Sequence, residues 1–266
     1  MPLKPSSTFR LPVVAWATVA AFVVAMTPAT ATAQTPACTA PTELTRLDQP
    51  LRRLAQRIAT RQPIVIVAIG SSSTAGAGAT SSAASYPSRL EVELKERFPH
   101  VAVKVLNRGV GGEEAADMLA RFDKSVIAEQ PDLVLWQLGT NALLRHSAVG
   151  PVGVLLHEGL GRVKATGADV IVMNPQFAPR VDVPEAPEMI SLIDATAKSD
   201  NVSVFRRFDV MRHWKETQGI PFETFLSSDG LHMNDWSYAC VAKLLASTIE
   251  EAATRATAVA GGRPRP

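Results

Sequence analysis

The chain has 266 residues, of which 46% are hydrophobic and 20% are charged, and this composition is typical of a globular protein with a sizeable core. Its formal net charge is only +2, and no basic stripe is interleaved with aromatic residues, so no nucleic-acid partner is expected. Length and composition together favour one globular domain.

The first 33 residues differ in pattern from the rest of the chain. Lys4 and Arg10 form a basic start, residues 11–26 are an uncharged apolar stretch, and residues 31–33 are small enough for a cleavage site. This pattern is typical of a secretory signal peptide cleaved near Ala33, whereas a membrane anchor would need about 20 apolar residues. We therefore expect an exported protein, periplasmic or secreted, with no stable membrane anchor once the signal is removed.

The two cysteines, Cys38 and Cys240, both lie in the part of the chain that would be exported. An even number of cysteines in an oxidising compartment predicts one disulfide, which would join the N-terminal segment to the last helix. Two unpaired, buried thiols are the alternative, because a sequence does not show which residues lie close together.

The remaining sequence alternates predicted helices and strands. Helices are predicted from apolar residues at helical spacing, and strands from short, uncharged, β-branched runs. An extended segment at 34–41 comes first, and residues 257–266 are expected to be a disordered tail. The predicted helices are at 42–61, 86–98, 113–129, 149–166, 188–199 and 236–256, the strands at 64–69, 101–106, 133–138, 169–173 and 202–205, and the main loops at 77–84 and 107–112.

The strands carry continuous rather than alternating apolar residues, which predicts a parallel sheet covered by helices on both faces. Five such strands predict a three-layer α/β/α sandwich of the flavodoxin-like type. The main domain would span residues 62–256, with residues 34–61 packed against it and residues 1–33 removed as the signal.

Four loops that follow strands or precede the last helix hold unusual polar or glycine residues. In an open α/β sheet, ligands bind at the carboxyl ends of the strands, so we expect these loops to lie near one another. They contain Gly70 to Gly76, Gly111 with Gly112, Gly139 to Asn141, and Asp229 with His232.

This set of residues resembles the SGNH hydrolases, also called the GDSL esterase and lipase superfamily, over about residues 62–250. The chain departs from the superfamily pattern at Ser71, where an aspartate is usual, and at Ala142, where an aspartate often follows the asparagine. The matching positions are Gly70, Ser72, Thr74 and Gly76 in the first block, Asn107 and Gly112 in the second, Asn141 in the third, and Asp229 and His232 in the last.

The resemblance implies that Ser72 is the nucleophile, His232 its general base and Asp229 the residue that orients the base. Such a set suits acyl transfer, because a serine hydroxyl is a weak nucleophile until a base removes its proton. The backbone N–H groups of Ser72 and Gly112 and the side chain of Asn141 would form the oxyanion hole.

Each pattern also occurs without catalysis, as an ordinary serine-rich turn, a glycine at a helix start, or a helix cap. His213 is the rival for the base, but it has no carboxylate three residues before it. Gln176 and Arg180, in the loop after the fourth strand, could contact substrate or simply face solvent. Trp236 is expected to pack in the core rather than to bind substrate.

The sequence therefore predicts an exported serine esterase that acts on short acyl esters of a small molecule or carbohydrate through an acyl-enzyme intermediate. An O-acyltransferase with a sugar acceptor, or a non-catalytic cell-envelope binding protein on the same scaffold, are the alternatives. No cofactor or metal is expected, because no two histidines have the spacing of metal ligands.

Overall fold

The computed structural model describes residues 1–3 and 36–261, with side chains to residue 257. The signal peptide predicted at residues 1–33, its cleavage site, and the end of the predicted tail lie largely outside these residues. The helices are α1 Thr42–Thr45, α2 Arg52–Ala59, α3 Ser72–Ala75, α4 Tyr86–Arg97, α5 Ala115–Ala120, α6 Phe122–Ser125, α7 Thr140–Leu144, α8 Gly150–Ala165, α9 Ala186–Ser199, α10 Arg207–Glu216, α11 Phe222–Phe225 and α12 Asp235–Gly261. The strands are β1 Ile64–Gly70, β2 Val103–Gly109, β3 Leu133–Gln137, β4 Asp169–Met173 and β5 Ser203–Phe205, and short 3₁₀ helices lie at Ser82–Ala84 and Ile127–Glu129.

The five strands form one parallel sheet in the order β2-β1-β3-β4-β5, which confirms the predicted flavodoxin-like arrangement. The chain runs outward from β1 to β2 and then returns to β3 on the other side of β1. The carboxyl ends of β1 and β3 therefore flank the point where the strand order reverses, which is where such sheets bind ligands.

Helices cover both faces of the sheet, so the three-layer sandwich is confirmed. In one layer α2 and α4 pack against α12, and in the other α5 and α9 pack against α8. Strands β1, β3, β4 and β5 are almost entirely buried, whereas most residues of the edge strand β2 are half-buried. A close approach at Gly159 of α8 shows how tight this packing is, since a Cβ there would lie 2.3 Å from the ring of Trp136 in β3.

The N-terminal segment is fastened to the last helix by the disulfide between Cys38 and Cys240, as predicted. Next to it, the indole N–H of Trp214 donates to the carbonyl of Thr39 at 3.0 Å. The segment is thus fixed covalently to α12 and by a hydrogen bond to α10. Among the described residues, no helix is both long enough and apolar enough to cross a membrane.

Several predicted boundaries were wrong for local reasons. The helix expected at 42–61 is interrupted between α1 and α2, because Pro50 has no N–H and disfavours helical backbone before it. The helix expected at 113–129 is divided into α5, α6 and a 3₁₀ turn, and it ends where Gln130 adopts φ +49°.

The carboxyl-terminal half differs from the prediction at two further places. Residues 207–216, for which the sequence predicts no helix, form the helix α10, whose inner face buries Phe208, Met211 and Trp214. The last helix continues to Gly261, past its predicted end at residue 256, so part of the expected tail is helical.

In the amino-terminal half, strand β2 extends through Gly109, which places Asn107 in the strand instead of in a loop.

Candidate active site

The turn between β1 and α3 carries the predicted nucleophile. Gly70 ends the strand, and no larger residue fits there, since a Cβ would lie 2.2 Å from the hydroxyl of Thr74. Ser71 is buried, and both its N–H and its hydroxyl donate to Oε1 of Gln137, at 2.9 and 3.1 Å. A hydroxyl can donate to that oxygen and an ionised carboxylate cannot, which explains physically why serine suits this position. The turn places Ser72 at the first residue of α3.

A chain of hydrogen bonds leads from Ser72 to a carboxylate. Oγ of Ser72 lies 2.9 Å from Nε2 of His232, and Nδ1 of His232 lies 2.5 Å from Oδ2 of Asp229. An ionised carboxylate only accepts, so Nδ1 carries the proton and Nε2 is free to accept the Ser72 hydroxyl. The three residues are thus arranged as a nucleophile, a base and an orienting acid.

The carboxylate of Asp229 is held by more than the imidazole. Its Oδ1 accepts the hydroxyl of Ser227 at 2.7 Å and the backbone N–H groups of Leu231 and His232 at 2.9 Å. Partial burial alone would raise the pKa of Asp229, but these donors together with the His232 side chain hold the pKa well below its ordinary value. Asp229 therefore stays ionised throughout the neutral and mildly acidic range.

The histidine loop rests on the loop that follows the nucleophile. Gly78 has φ +86°, and a Cβ there would lie 2.4 Å from the carbonyl oxygen of Met233 and 2.9 Å from Cβ of His232. Nearby, the N–H and hydroxyl of Thr80 donate to the carboxylate of Asp235 at 2.8 and 2.5 Å. These contacts set the distance between His232 and the serine turn.

The loop that carries Gly112 passes beside Ser72, and Asn141 contacts this loop. A Cβ placed on Gly111 would lie 3.8 Å from Cβ of Ser72, so the loop after β2 runs directly past this serine. Gly112 has φ +82°, a conformation that favours glycine. Within the described part of the chain, no acceptor takes the backbone N–H of Ser72 or of Gly112. Asn141 is nearly buried, and its side-chain amide donates one hydrogen to the carbonyl of Glu113 at 2.8 Å. Among the described residues, the second amide hydrogen has no acceptor.

Asn107 joins the end of β2 to the nucleophile turn. Its amide donates to the carbonyl of Thr74 at 2.9 Å, and its side-chain oxygen accepts the N–H of Gly109, also at 2.9 Å. Gly109 allows this close approach, because a Cβ there would lie 2.1 Å from the backbone nitrogen of Ala75.

The prediction for Gln176 was wrong. Its side chain is completely buried, and Oε1 accepts hydrogen bonds of 3.0 Å from Thr140 and from Arg207. It therefore points into the protein, where it supports the turn that carries Asn141. Arg180 is exposed in the same loop, and its contact with substrate stays a prediction.

The sequence did not predict the role of Arg207, at the start of α10, which joins the serine turn to the loop after β4. It is fully buried and donates to the hydroxyl of Ser73 at 3.0 Å, to Gln176 at 3.0 Å and to the carbonyl of Asn174 at 3.2 Å. Burial lowers the pKa of Arg207 to about 10, so the guanidinium remains charged at neutral pH. The missed signal was the amphipathic pattern of α10 itself.

The two remaining candidates behave as the sequence predicted. The ring of Trp236 packs edge-on against Trp214, with 5.1 Å between the centroids. His213 lies on α10, and the hydrogen-bonding partner of Ser72 is His232. Among the described residues, no cluster of three or more histidines, cysteines or carboxylates could hold a metal ion.

The sheet order and the four loops define an α/β protein of the SGNH superfamily, with the serine after β1, the glycine after β2, the asparagine after β3 and the histidine before the last helix. A model of the non-GDSL lipase-like family matches residues 37–255, and the chain belongs to that family.

Proteins of similar sequence or fold carry the names of esterases. An acetylxylan esterase from Geobacillus stearothermophilus is 35% identical over 52 residues, which are 20% of this chain and 24% of that protein. The structure of a two-domain esterase active on acetylated mannans has a TM-score of 0.69 at 18% identity, over 79% of this chain and 55% of that one. The structure of an acetyl xylan esterase from Geobacillus stearothermophilus has a TM-score of 0.59 at 20% identity, over 70% of this chain and 94% of that one. The two structural similarities establish a common fold, and the chain spans about a quarter of the curated relative.

Proposed function

We propose that the protein is an exported serine esterase that removes short acyl groups, above all acetyl groups, from carbohydrates. The observation that carries this proposal is the unbroken chain of hydrogen bonds from Asp229 through His232 to Ser72, at the carboxyl end of β1. A serine joined to a base and an orienting carboxylate in this way is equipped for nucleophilic attack on a carbonyl.

In the first half of the reaction, Oγ of Ser72 attacks the ester carbonyl carbon while Nε2 of His232 takes the hydroxyl proton. The carbonyl oxygen becomes an oxyanion that the N–H groups of Ser72 and Gly112 and the amide of Asn141 can stabilise. The carbon–oxygen ester bond then breaks, His232 protonates the leaving alcohol, and the acyl group remains on Ser72.

In the second half, a water molecule gives its proton to His232 and attacks the acyl carbon. The same donors stabilise the second tetrahedral intermediate. Collapse releases the carboxylic acid and returns the proton to Ser72, while the ionised Asp229 stabilises the imidazolium in both halves.

A preference for short acyl groups on carbohydrate rests on the surroundings of Ser72 and on the relatives. Residues 75–79 are only alanine and glycine, and Gly111 passes close to the nucleophile. Because these residues have small side chains or none, they leave Ser72 accessible from solvent. The relatives that resemble this chain are named for acetylated xylans and mannans. Because a sugar hydroxyl could replace water in the second step, product analysis decides between hydrolysis and transfer to an acceptor.

Export is supported by the basic and apolar pattern of the first 33 residues and by the disulfide between Cys38 and Cys240. The mature protein would begin at Gln34. Cleavage is tested by N-terminal sequencing of the protein recovered outside the cytoplasm, where an N-terminus at Met1 would contradict it.

The decisive experiment measures acetate release from acetylated xylo- and manno-oligosaccharides, and hydrolysis of p-nitrophenyl acetate and a longer-chain ester, by residues 34–266. Ser72→Ala is expected to lower turnover by about 10⁴-fold or more. Ser199→Ala, an exposed serine on α9, is the matched control and is expected to keep full activity. Turnover that survives in Ser72→Ala would refute the proposed nucleophile, and a preference for the longer chain would refute the short-acyl assignment.

A further inference from the structure

The loop that carries Gly112 is held from one side by α7 and the residue that follows it. Asn141 and Arg145 are four residues apart, so they lie on the same side of this helical turn. Asn141 donates to the carbonyl of Glu113 at 2.8 Å, and Nη2 of Arg145 donates to the carbonyl of Gly112 at 2.7 Å. Two successive carbonyls of the loop are therefore bound by side chains from one turn of helix.

The guanidinium of Arg145 is itself fixed at a second point. Its Nη1 donates to the carboxylate of Glu114 at 2.7 Å, and the hydroxyl of Ser147 lies 3.3 Å from the same oxygen. Glu114 is the N-cap of α5 and forms a capping box, in which the carboxylate of Asp117 accepts the N–H of Glu114 at 3.0 Å. The planar guanidinium thus bridges a backbone carbonyl and an anchored carboxylate, a geometry that a lysine ammonium cannot reproduce.

Gly112 needs such a restraint because it has no side chain and adopts φ +82°. Glycine reaches many backbone conformations at similar free energy, so the direction of its N–H is not determined locally. Arg145 is 53% exposed, and an exposed ion pair on its own contributes little to stability. Its hydrogen bond to the loop carbonyl is therefore of more consequence for the position of Gly112 than for the fold.

We propose that Arg145 is a positioning residue for the oxyanion hole: it holds Gly112 so that the Gly112 N–H faces the oxyanion formed on the substrate of Ser72. This inference rests on the proposed esterase function. It adds a residue to the site that acts through the backbone of Gly112 and does not touch the reacting atoms.

The test compares Arg145→Ala, Arg145→Lys and the control Arg212→Ala. Arg212 is similarly exposed, at 48%, and forms a 2.7 Å ion pair with Asp209 on α10, away from the loop that carries Gly112. For each variant we would measure kcat and KM on p-nitrophenyl acetate, the pH dependence of kcat, the melting temperature, and the rate of labelling by a fluorophosphonate.

Arg145→Ala is expected to lower kcat by about 10- to 100-fold, less than the loss of a whole oxyanion donor. The KM, the shape of the pH profile and the melting temperature should match those of Arg212→Ala, because the triad and the core are untouched. Phosphonate labelling should slow in parallel with kcat, since the phosphonyl oxygen occupies the same hole. Arg145→Lys, which reaches only one of the two partners, should lie between Arg145→Ala and the wild type.

Three outcomes would overturn the inference: a wild-type kcat in Arg145→Ala, a rise in KM alone, or a loss of kcat that only follows a lower melting temperature. Ser72→Ala in the same assay separates this failure from failure of the proposed function. If Ser72→Ala is inactive while Arg145→Ala is fully active, the esterase proposal stands and the role of Arg145 is wrong. If Ser72→Ala keeps its turnover, the esterase proposal itself is wrong.

Discussion

Replacing Gly78 by alanine tests whether contact between two loops sets the position of His232, the proposed general base. Gly78 has φ +86°, and the added Cβ would lie 2.4 Å from the carbonyl oxygen of Met233 and 2.9 Å from Cβ of His232. Ordinary contacts for such an atom begin at 3.4 Å, so the two loops must separate by about 1 Å. A displacement of about that size in a catalytic group lowers the rate by about 100-fold.

The same substitution also places alanine in left-handed backbone, which costs about 1–2 kcal/mol. Gly167→Ala is the control for this cost, because Gly167 has φ +79° and a Cβ there would meet nothing within 4 Å. Both variants should melt at lower temperature than the wild type, with the larger loss in Gly78→Ala.

The assay is kcat on p-nitrophenyl acetate, measured below the melting temperature of every variant. We expect Gly167→Ala to keep the wild-type kcat and Gly78→Ala to lose about two orders of magnitude. If Gly78→Ala has the kcat of Gly167→Ala, then the contact between the loops does not position His232, and the reasoning from the Gly78 contact is wrong.

Two other predictions follow from the disulfide and from Asp229, the carboxylate of the proposed triad. Replacing Cys38 and Cys240 by serine should lower the free energy of unfolding by about 2–5 kcal/mol, and dithiothreitol should remove the difference from the wild type in urea denaturation. Asp229→Asn should lower kcat by about 10⁴-fold at neutral pH. Because folding lowers the pKa of Asp229, its charge stabilises the protein above the ordinary carboxyl pKa of about 3.9, and this stabilisation is lost as the pH falls through the folded pKa. The difference in melting temperature between wild type and Asp229→Asn should therefore be largest near pH 6 and shrink on acidification; a constant difference down to pH 2 would contradict the low pKa.

The strands were predictable because their signal is local. Ile64 to Ile69 is a β-branched, uncharged run, and such a run describes a strand buried on both faces wherever it occurs. The final helix and the short-range pair Asp229 and His232 were visible for the same reason, since three residues of separation suffice to bring them together. The sequence position of Ser72, by contrast, carried meaning only through the resemblance to a superfamily.

The errors arose where long-range packing overrides a local pattern. Gln176 follows a strand at the same edge as the proposed catalytic residues, which made it a reasonable substrate contact. Its direction is decided by Arg207, a residue on an unpredicted helix that offers it a buried hydrogen bond of 3.0 Å. Pro50 is a local signal for the interruption of the first predicted helix. The regular spacing of the leucines nevertheless favoured one continuous helix in the prediction.

The sequence by itself determined the class of fold, the presence of two cysteines in the part expected to be exported, and the residue types that acyl transfer needs, because strand pattern, composition and motif spacing are properties of short stretches of chain. Only the tertiary structure decided which of those residues meet. Ser72 lies 2.9 Å from His232, Gln176 is buried, and Arg145 donates to the Gly112 carbonyl at 2.7 Å. Each of these features depends on segments that are far apart in the chain. Distances of that kind depend on how the sheet and its helices pack as a whole, and no local pattern contains them.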